Sequence, residues 1–164
     1  MSRRTNRRLT HLSDGGEARM VDVGGKPTTR RTAEAEAWVD VGPELAAILA
    51  AVGGLAKGDV LGTARLAGIQ AAKRTAELIP MCHPLAIDHV DVTAQLVGPR
   101  VRLLASVGCT GRTGVEMEAM TAAAVAALTV YDMVKSAGKA VQIGPIRLIE
   151  KRGGKSGLWR RPAD

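Results

Sequence analysis

Two short stretches of the chain carry residues that could move protons. The first is the IPMCHPL motif at residues 79–85, in which His83 comes directly before Pro84. A residue before proline is driven towards extended geometry, so we expect His83 on a loop at the end of a helix. Such a histidine can act as a general acid or base, while a structural histidine bonded to the backbone fits the pattern nearly as well.

The second stretch, TGVEMEAM at residues 113–120, opens a long predicted helix and carries two carboxylates. Glu116 follows Thr113 at the spacing of a capping box, so its carboxylate has either a capping or a chemical role. Glu118 lies roughly 200° around the helix from Glu116, so we expect one of the two to face elsewhere. Charges on a buried helix are costly unless they are paired or used, which makes both of them candidate site residues.

Asp132 and Lys135 stand at the other end of this helix. Three residues apart, they could form a simple surface pair. An aspartate near a helix C-terminus is disfavoured by the helix dipole, however, so a functional role for Asp132 is an equal alternative. Glu116 and Asp132 are separated by roughly 24 Å along a helix, so one small ligand cannot easily touch both from the same chain. If both are catalytic, the site is shared across the interface of a symmetric homo-oligomer.

Basic residues near two predicted helix starts are candidates for binding anions. Lys57 comes just before a helix N-terminus, where backbone N–H groups favour negative charge. The turn GCTGRTG at residues 108–114 opens the long helix in the same way, but it lacks the P-loop pattern. The three histidines are dispersed and show no zinc-binding spacing, so the sequence predicts no metal site.

The surrounding patterns predict the elements that position these residues. Two runs of alternating apolar residues flank Gly98-Pro99 and predict a β-hairpin, and a phase shift at Gly144-Pro145 predicts a bulge on an edge strand. Residues 1–33 are polar, basic and glycine-containing, which predicts an irregular arm. The predicted elements are a strand at 36–41, helices at 43–52 and 59–78, strands at 90–96 and 101–107, a helix at 113–135 and a strand at 141–149.

This βαββαβ order predicts an α+β, ferredoxin-like fold: an antiparallel sheet with helices packed on one face. We expect a flexible basic N-terminal arm at 1–19, a single catalytic domain at 20–157 and a flexible C-terminal tail at 158–164. The chain has 164 residues, of which 46% are hydrophobic, but it has no Phe. A core of small aliphatic side chains is modest, which favours further burial through self-association.

Charge and cysteine content narrow the functional class. Residues 1–31 carry eight Lys/Arg against three Asp/Glu, and residues 147–164 carry six against two, whereas the stretch between them is slightly acidic. Basic ends are typical of a solubilising tail, a nucleic-acid arm or an arm that closes over an anionic ligand. The N-terminus has no apolar core of a signal peptide, the run 119–131 is too short to span a bilayer, and the two cysteines form no CxxC pattern. We therefore expect a cytoplasmic protein without a membrane partner.

Eight motifs, in one order along residues 9–157, resemble those of the molybdenum cofactor biosynthesis protein C family, the cyclic pyranopterin monophosphate synthases. Several motifs in the same order are far more specific than any one alone. They are LTHL at 9–12, MVDV at 20–23, KGDV at 57–60, ARLAGIQAAKRT at 64–75, IPMCHPL at 79–85, TGVEMEAM at 113–120, YDMVK at 131–135 and GGKSG at 153–157.

The resemblance implies a reaction and an assembly. Members of this family convert 3′,8-cyclo-7,8-dihydroguanosine triphosphate to cyclic pyranopterin monophosphate and release diphosphate. They are ferredoxin-like hexamers, built as trimers of dimers with the site at the dimer interface. No resident cofactor is implied, although a magnesium ion could accompany the triphosphate.

The resemblance also assigns roles to residues. Asp132 matches the family's active-site aspartate. The other positions that match catalytic residues are Lys57, Lys135, His83 and Glu116. Those that match substrate-contacting or further basic positions are Met81, Cys82, His83, Met117, Glu118, Arg31, Lys73 and Lys155. We expect Lys57 and Lys135 to act as general acids with lowered pKa values, Asp132 to act as the base or orienter, and His83 and Glu116 to assist.

The residues bear on two alternative functions. A ferredoxin-like sheet with basic ends is also the plan of an RNA-recognition motif, which needs stacking aromatics on its two central strands. Here those strands offer only Trp38, so the sequence argues against nucleic acid as a partner. A catalytically inactive homologue is the second alternative, and the presence of all the matched acid–base residues argues against it.

Overall fold

A computed structural model of the chain describes residues 15–51 and 59–163. These residues form a five-stranded antiparallel sheet in the order β2-β3-β1-β4-β5, with the helices packed on one face, which confirms the predicted α+β, ferredoxin-like class. The elements are β1 Thr29–Asp40, α1 Gly42–Ala50, α2 Val60–Ala72, α3 Thr75–Leu78, β2 Ile87–Val97, β3 Arg100–Gly111, α4 Glu116–Val134, β4 Gln142–Arg152 and β5 Trp159–Arg160.

The predicted hairpin is confirmed and forms one side of the sheet. Val97 pairs with Arg100 across the turn at Gly98-Pro99, and β3 continues along the whole of β1, from Asp40 opposite Arg100 to Thr29 opposite Gly111. The alternation of the sequence places one face of β1 and β3 against the helices. The buried residues on this face are Ala33, Ala35, Ala37, Val39, Val101, Leu103, Ala105 and Val107.

Small side chains let α4 lie close to both the sheet and α2. Five alanines at helical spacing along α4 have no exposed surface: Ala119, Ala122, Ala123, Ala126 and Ala127. Gly68 of α2 packs directly against this face, because a Cβ there would lie 2.9 Å from the backbone oxygen of Ala122. The chain thus builds its core from close backbone approach, as expected for a sequence without Phe.

By length and composition alone, α4 is also apolar enough to cross a membrane, with a mean hydropathy of 1.3. Half of this apolar stretch is buried inside the fold, where the alanine face packs on the sheet and on α2. Packing in the core therefore accounts for the apolar composition of this helix.

Two predicted boundaries were wrong. The first strand begins at Thr29, so residues 29–33 belong to β1 and not to the irregular arm. The helix predicted at 59–78 is divided into α2 and α3. At the break, the Thr75 hydroxyl donates to the backbone oxygens of Ala71 and Ala72, at 3.3 and 3.0 Å. Such side-chain bonds to the preceding turn compete with helix continuation.

The predicted bulge in the last long strand, β4, is confirmed, but β4 is not the edge strand that we expected, because β5 pairs along its outer side. Ile143 pairs with Val39 and Ile146 pairs with Ala37, so Gly144 and Pro145 together face a single residue of β1. The short strand β5 was not predicted: it lies in the segment 158–164 that we expected to be a tail, and Trp159 pairs with Lys151.

Most of the predicted arm at 1–19 lies outside the described residues, and so does Lys57. The division of the chain into arm, catalytic domain and tail stays a prediction.

Candidate active site

A pocket of about 470 Å³ lies where the loop after α3 meets the start of α4. It gathers six of the residues predicted for the site from two distant parts of the sequence. Its lining residues are Val21, Val23, Lys26, Met81, Cys82, His83, Leu85, Thr113, Gly114, Glu116, Met117 and Glu118.

The loop after α3 brings three of these residues to the pocket. α3 ends at Leu78, and the backbone N–H of Cys82 donates to the oxygen of Ile79 at 3.0 Å, which closes a turn. His83 follows this turn outside any helix, as its position before Pro84 predicted. The imidazole, the Cys82 thiol and Met81 therefore reach the pocket from a loop held between α3 and β2.

Of the two roles that the spacing from Thr113 left open for Glu116, the structure does not show capping. Val115 is the N-cap residue of α4, and no side chain caps the helix. The Glu116 carboxylate instead lies over Gly114, where an added Cβ would overlap its oxygens. It also lies near β4, with the Lys151 ammonium nitrogen 4.0 Å from Oε1.

Glu116 and Glu118 both line the pocket, although helical spacing predicted that one would face elsewhere. The prediction failed because Glu116 is the first residue of α4 and its side chain lies back over Gly114. Glu118 is only 3% exposed. Burial, with a smaller contribution from the charge of Glu116, raises the pKa of the Glu118 carboxyl. The pair thus holds two carboxyl groups in different environments.

Two cysteine thiols, Cys82 in the pocket lining and Cys109 in β3, have raised pKa values. Burial, and next the charge of Glu118, raise the pKa of the Cys82 thiol. The same two causes come first for Cys109, which is buried in β3, and its pKa is raised as well. A thiol with a raised pKa is a poorer nucleophile because less of it is present as the thiolate, which argues against a nucleophilic role for Cys82.

Arg31 lies on β1 beside the end of β3. Its Nε donates to the backbone oxygen of Gly111 and its Nη2 to that of Arg112, each at 3.3 Å. The guanidinium also covers Gly154, where a Cβ would overlap Nη1. Arg31 therefore holds together the turn before α4 and the loop after β4, and Lys155 is exposed on that loop.

Three predicted site residues lie elsewhere in the described chain. Lys73 lines a second depression of about 490 Å³, together with Asp88 and His89. Asp132 and Lys135 form an ion pair of 2.6 Å at the far end of α4, with 65% and 51% of their side chains exposed. The hydrogen bond with Asp132 raises the pKa of Lys135, which is the opposite of the lowered pKa that we expected.

Sequence reasoning missed Lys26, the lysine in the pocket lining. It follows the MVDV motif in a turn where Gly24 N–H donates to Asp22 at 2.7 Å and Lys26 N–H donates to the oxygen of Val23 at 3.0 Å. The MVDV motif by itself does not point to Lys26. The signal in the sequence is the Asp-Val-Gly-Gly turn, which gives the following lysine a fixed position.

Neither a metal centre nor an RNA platform emerges from the described residues. They contain no group of three or more His, Cys, Asp or Glu residues that could hold a metal ion. On the central strands β1 and β3, Trp38 is the single aromatic residue, and the Arg100 guanidinium lies 4.5 Å from its ring centre. An aromatic ring covered in this way does not offer a free stacking surface for a base.

Comparison with known proteins gives one consistent result. Residues 20–154 match the MoaC family. A relative from Novosphingobium aromaticivorans is 56% identical over 153 residues, which cover 93% of this chain and 96% of the relative. One from Chloroflexus aurantiacus is 55% identical over 94% of this chain and 95% of the relative, and one from Brucella ovis is 56% identical over 93% of each. All three relatives are named cyclic pyranopterin monophosphate synthase.

Proposed function

The chain belongs to the MoaC family, and we propose that it is a cyclic pyranopterin monophosphate synthase. In this proposal it converts 3′,8-cyclo-7,8-dihydroguanosine triphosphate to cyclic pyranopterin monophosphate and releases diphosphate. The reaction is an early step of molybdenum cofactor biosynthesis, and the enzyme is a lyase. The shared name of the relatives supports the product, and the resemblance of the motifs supports the substrate.

The pocket between the loop after α3 and the start of α4 is the observation that carries this proposal. Rebuilding a cyclised nucleotide into a pyranopterin requires repeated proton transfers, and the pocket combines His83, Glu116 and Glu118. Because burial raises its pKa, Glu118 is suited to carry a proton into the reaction. Glu116 then supplies the second carboxyl group at the same wall.

The triphosphate requires several cations. Lys26 lines the pocket itself, and Arg31 and Lys155 lie at the loop after β4. Lys57 and Lys73 complete the set that the resemblance implies, and Lys73 would act from the separate depression that it lines. In the last step a ribose hydroxyl attacks the α-phosphate and expels diphosphate, whose charge these residues neutralise.

We place the complete site between two subunits of a hexamer built as a trimer of dimers. Glu116 and Asp132 lie at opposite ends of α4, roughly 24 Å apart along its axis, so one chain cannot present both to one small substrate. A two-fold partner would supply Asp132 and Lys135 to the pocket of the first chain. A general-acid role for Lys135 then requires that the partner's pocket lower a pKa that Asp132 alone raises.

The proposed reaction uses no resident cofactor, although a magnesium ion could enter with the triphosphate. The cytoplasm is the proposed compartment, in keeping with two cysteines that are both free thiols.

Turnover by the purified full-length chain tests the function. The protein is incubated with the cyclised guanosine triphosphate, and diphosphate and pterin are measured together. Release of the two products in equal amounts is the expected result. A folded protein that releases neither product would contradict the proposal and favour an inactive homologue.

A further inference from the structure

We propose that Lys151 is a positioning residue that joins the carboxylate of Glu116 to the loop at residues 153–157. This inference rests on the proposed function and assigns a role to a residue that the motifs did not single out. The ammonium group of Lys151 would hold one wall of the pocket and the Lys155 loop in a fixed relation.

Lys151 lies on the helix side of the sheet. It is on β4 opposite Ala33, which is buried against the helices, and only 18% of its side chain is exposed. A lysine in such a place is costly unless its charge is paired and its hydrogen bonds are made. The position therefore calls for a specific partner, which a surface lysine does not need.

The ammonium group has two partners from different parts of the chain. Its nitrogen lies 4.0 Å from Oε1 of Glu116, at the first residue of α4, and it donates a hydrogen bond to the Ser156 hydroxyl. A single side chain thus contacts both the acid wall of the pocket and the loop that carries Lys155.

The backbone on both sides is shaped for this arrangement. The absence of a side chain at Gly114 leaves room for the Glu116 carboxylate. In the loop, Gly153 and Gly154 have φ angles of 98° and 69°, which residues other than glycine rarely adopt. The Arg31 guanidinium occupies the space beside Gly154. The loop is therefore held by Arg31 on one side and by Lys151 on the other.

If Glu116 is already fixed before the substrate binds, its side chain loses less conformational freedom when the reactive complex forms. A glutamate at the first turn of a helix has several free rotamers, and a misplacement of about 1 Å in a catalytic site can cost roughly 100-fold in rate. The ion pair with Lys151 favours the rotamers that point towards β4 and the pocket.

A double-mutant cycle tests this role. Lys151→Met removes the charge and keeps most of the apolar stem, and Lys151→Arg keeps the charge. We expect Lys151→Met to lower kcat/KM about 10-fold or more, with Lys151→Arg restoring part of the loss. In the Glu116→Gln background, Lys151→Met should cause no further loss, because the lysine acts through that carboxylate. Lys139→Met, at an exposed lysine, is the matched control.

Ser156→Ala tests the loop half of the contact without changing a buried charge. Amide hydrogen exchange without substrate should be faster at residues 153–157 in Ser156→Ala and Lys151→Met, and unchanged in the β2–β3 hairpin. Different results would contradict the synthase function and the positioning role of Lys151. Wild-type protein without turnover contradicts the synthase function. Active wild-type protein with additive losses in the cycle, or with unchanged exchange in the loop, contradicts the role of Lys151.

Discussion

The carboxylate of Glu116 occupies the space that a side chain at position 114 would need, since a Cβ on Gly114 would overlap Oε2 of Glu116. The two residues flank Val115, the N-cap of α4, so the conformation of the glutamate depends on a glycine two positions before it. This relationship makes a glycine without positive φ a determinant of the site.

Gly114→Ala should therefore displace Glu116 from its position in the pocket. We expect kcat/KM to fall roughly 10- to 100-fold, the scale of a misplaced catalytic group, while the protein stays folded. Steady-state kinetics with the cyclised nucleotide measure this effect. Gly108→Ala is the control, because its Cβ would make only ordinary contacts, the nearest at 3.6 Å. Equal activity of the two variants would argue against a role for Gly114.

Glu118→Gln should lower the activity and raise the stability of the protein. Burial raises the folded-state pKa of Glu118 above its usual 4.5, so the folded protein binds more protons than the unfolded chain between these two pKa values. The free energy of unfolding of the wild type therefore falls as the pH rises through that window, and glutamine removes this loss.

Urea unfolding between pH 4 and pH 8 measures that prediction. The stability of Glu118→Gln relative to the wild type should increase as the pH rises above 4.5, while its activity drops by roughly 100-fold or more. Glu77→Gln, at an exposed residue of α3, serves as the control. A constant difference between Glu118→Gln and the wild type at all pH values would contradict the assignment.

Glu36 should show the opposite dependence on pH. It is 3% exposed and lies between Arg102 and Arg147, with contacts of 2.8 and 2.9 Å that tie β1 to β3 and β4. Burial alone would raise its pKa, but the hydrogen bonds from the two arginines outweigh it and lower the pKa. The carboxylate thus adds stability above pH 4.5, and this contribution is lost as the pH falls through the lowered pKa.

Glu36→Gln should lower the free energy of unfolding at neutral pH by about 1 to 3 kcal/mol, because two partly buried guanidinium groups lose their counter-ion. The deficit relative to the wild type should shrink as the pH falls below 4.5. Glu34→Gln, on the same strand but less buried, is the control in urea unfolding. A deficit that grows in acid would show that the network does not act as described.

A mixture of inactive subunits should regain activity if the site is shared. We expect Glu118→Gln and Asp132→Asn to be inactive separately and to recover about a quarter of the wild-type activity when co-expressed in equal amounts, since half of random dimers carry one intact site of two. The double variant Glu118→Gln/Asp132→Asn, mixed with wild-type chains, is the control for subunit exchange. If activity does not recover although subunits exchange, Glu118 and Asp132 act from the same chain.

The sequence predicted the parts of the fold in which one pattern dominates. Alternation around Gly98-Pro99 and the alanine spacing of α4 each indicated the correct element, because burial on one face leaves a clear period. The start of β1 was missed because Thr29 to Thr32 carry no apolar alternation and become a strand only by pairing with β3 and β4. The helix break lies at Lys73 and Arg74, where the Thr75 hydroxyl bonds back to the preceding turn, and helix propensity does not encode such a bond.

The sequence predicted which residues line the candidate site, but not how they are arranged in space. Motifs named His83, Glu116 and Glu118, yet the spacing around an ideal helix separated the two carboxylates that the structure brings together. The structure also separates Lys73 from them and adds Lys26. Which residues share a pocket depends on how loops from different elements meet. The pKa of Lys135 depends on its neighbour Asp132 rather than on residue type.

α4 sets a constraint on chain length as well as on packing. The helix is 19 residues long and separates the Glu116 end from the Asp132 end by a fixed rise and rotation. Inserting a single residue near its middle would turn one end relative to the other by about 100° and lengthen the helix by about 1.5 Å. In a shared site, no movement of side chains could restore both ends at once, so we expect this helix to tolerate substitutions on its exposed side far better than any change in its number of residues.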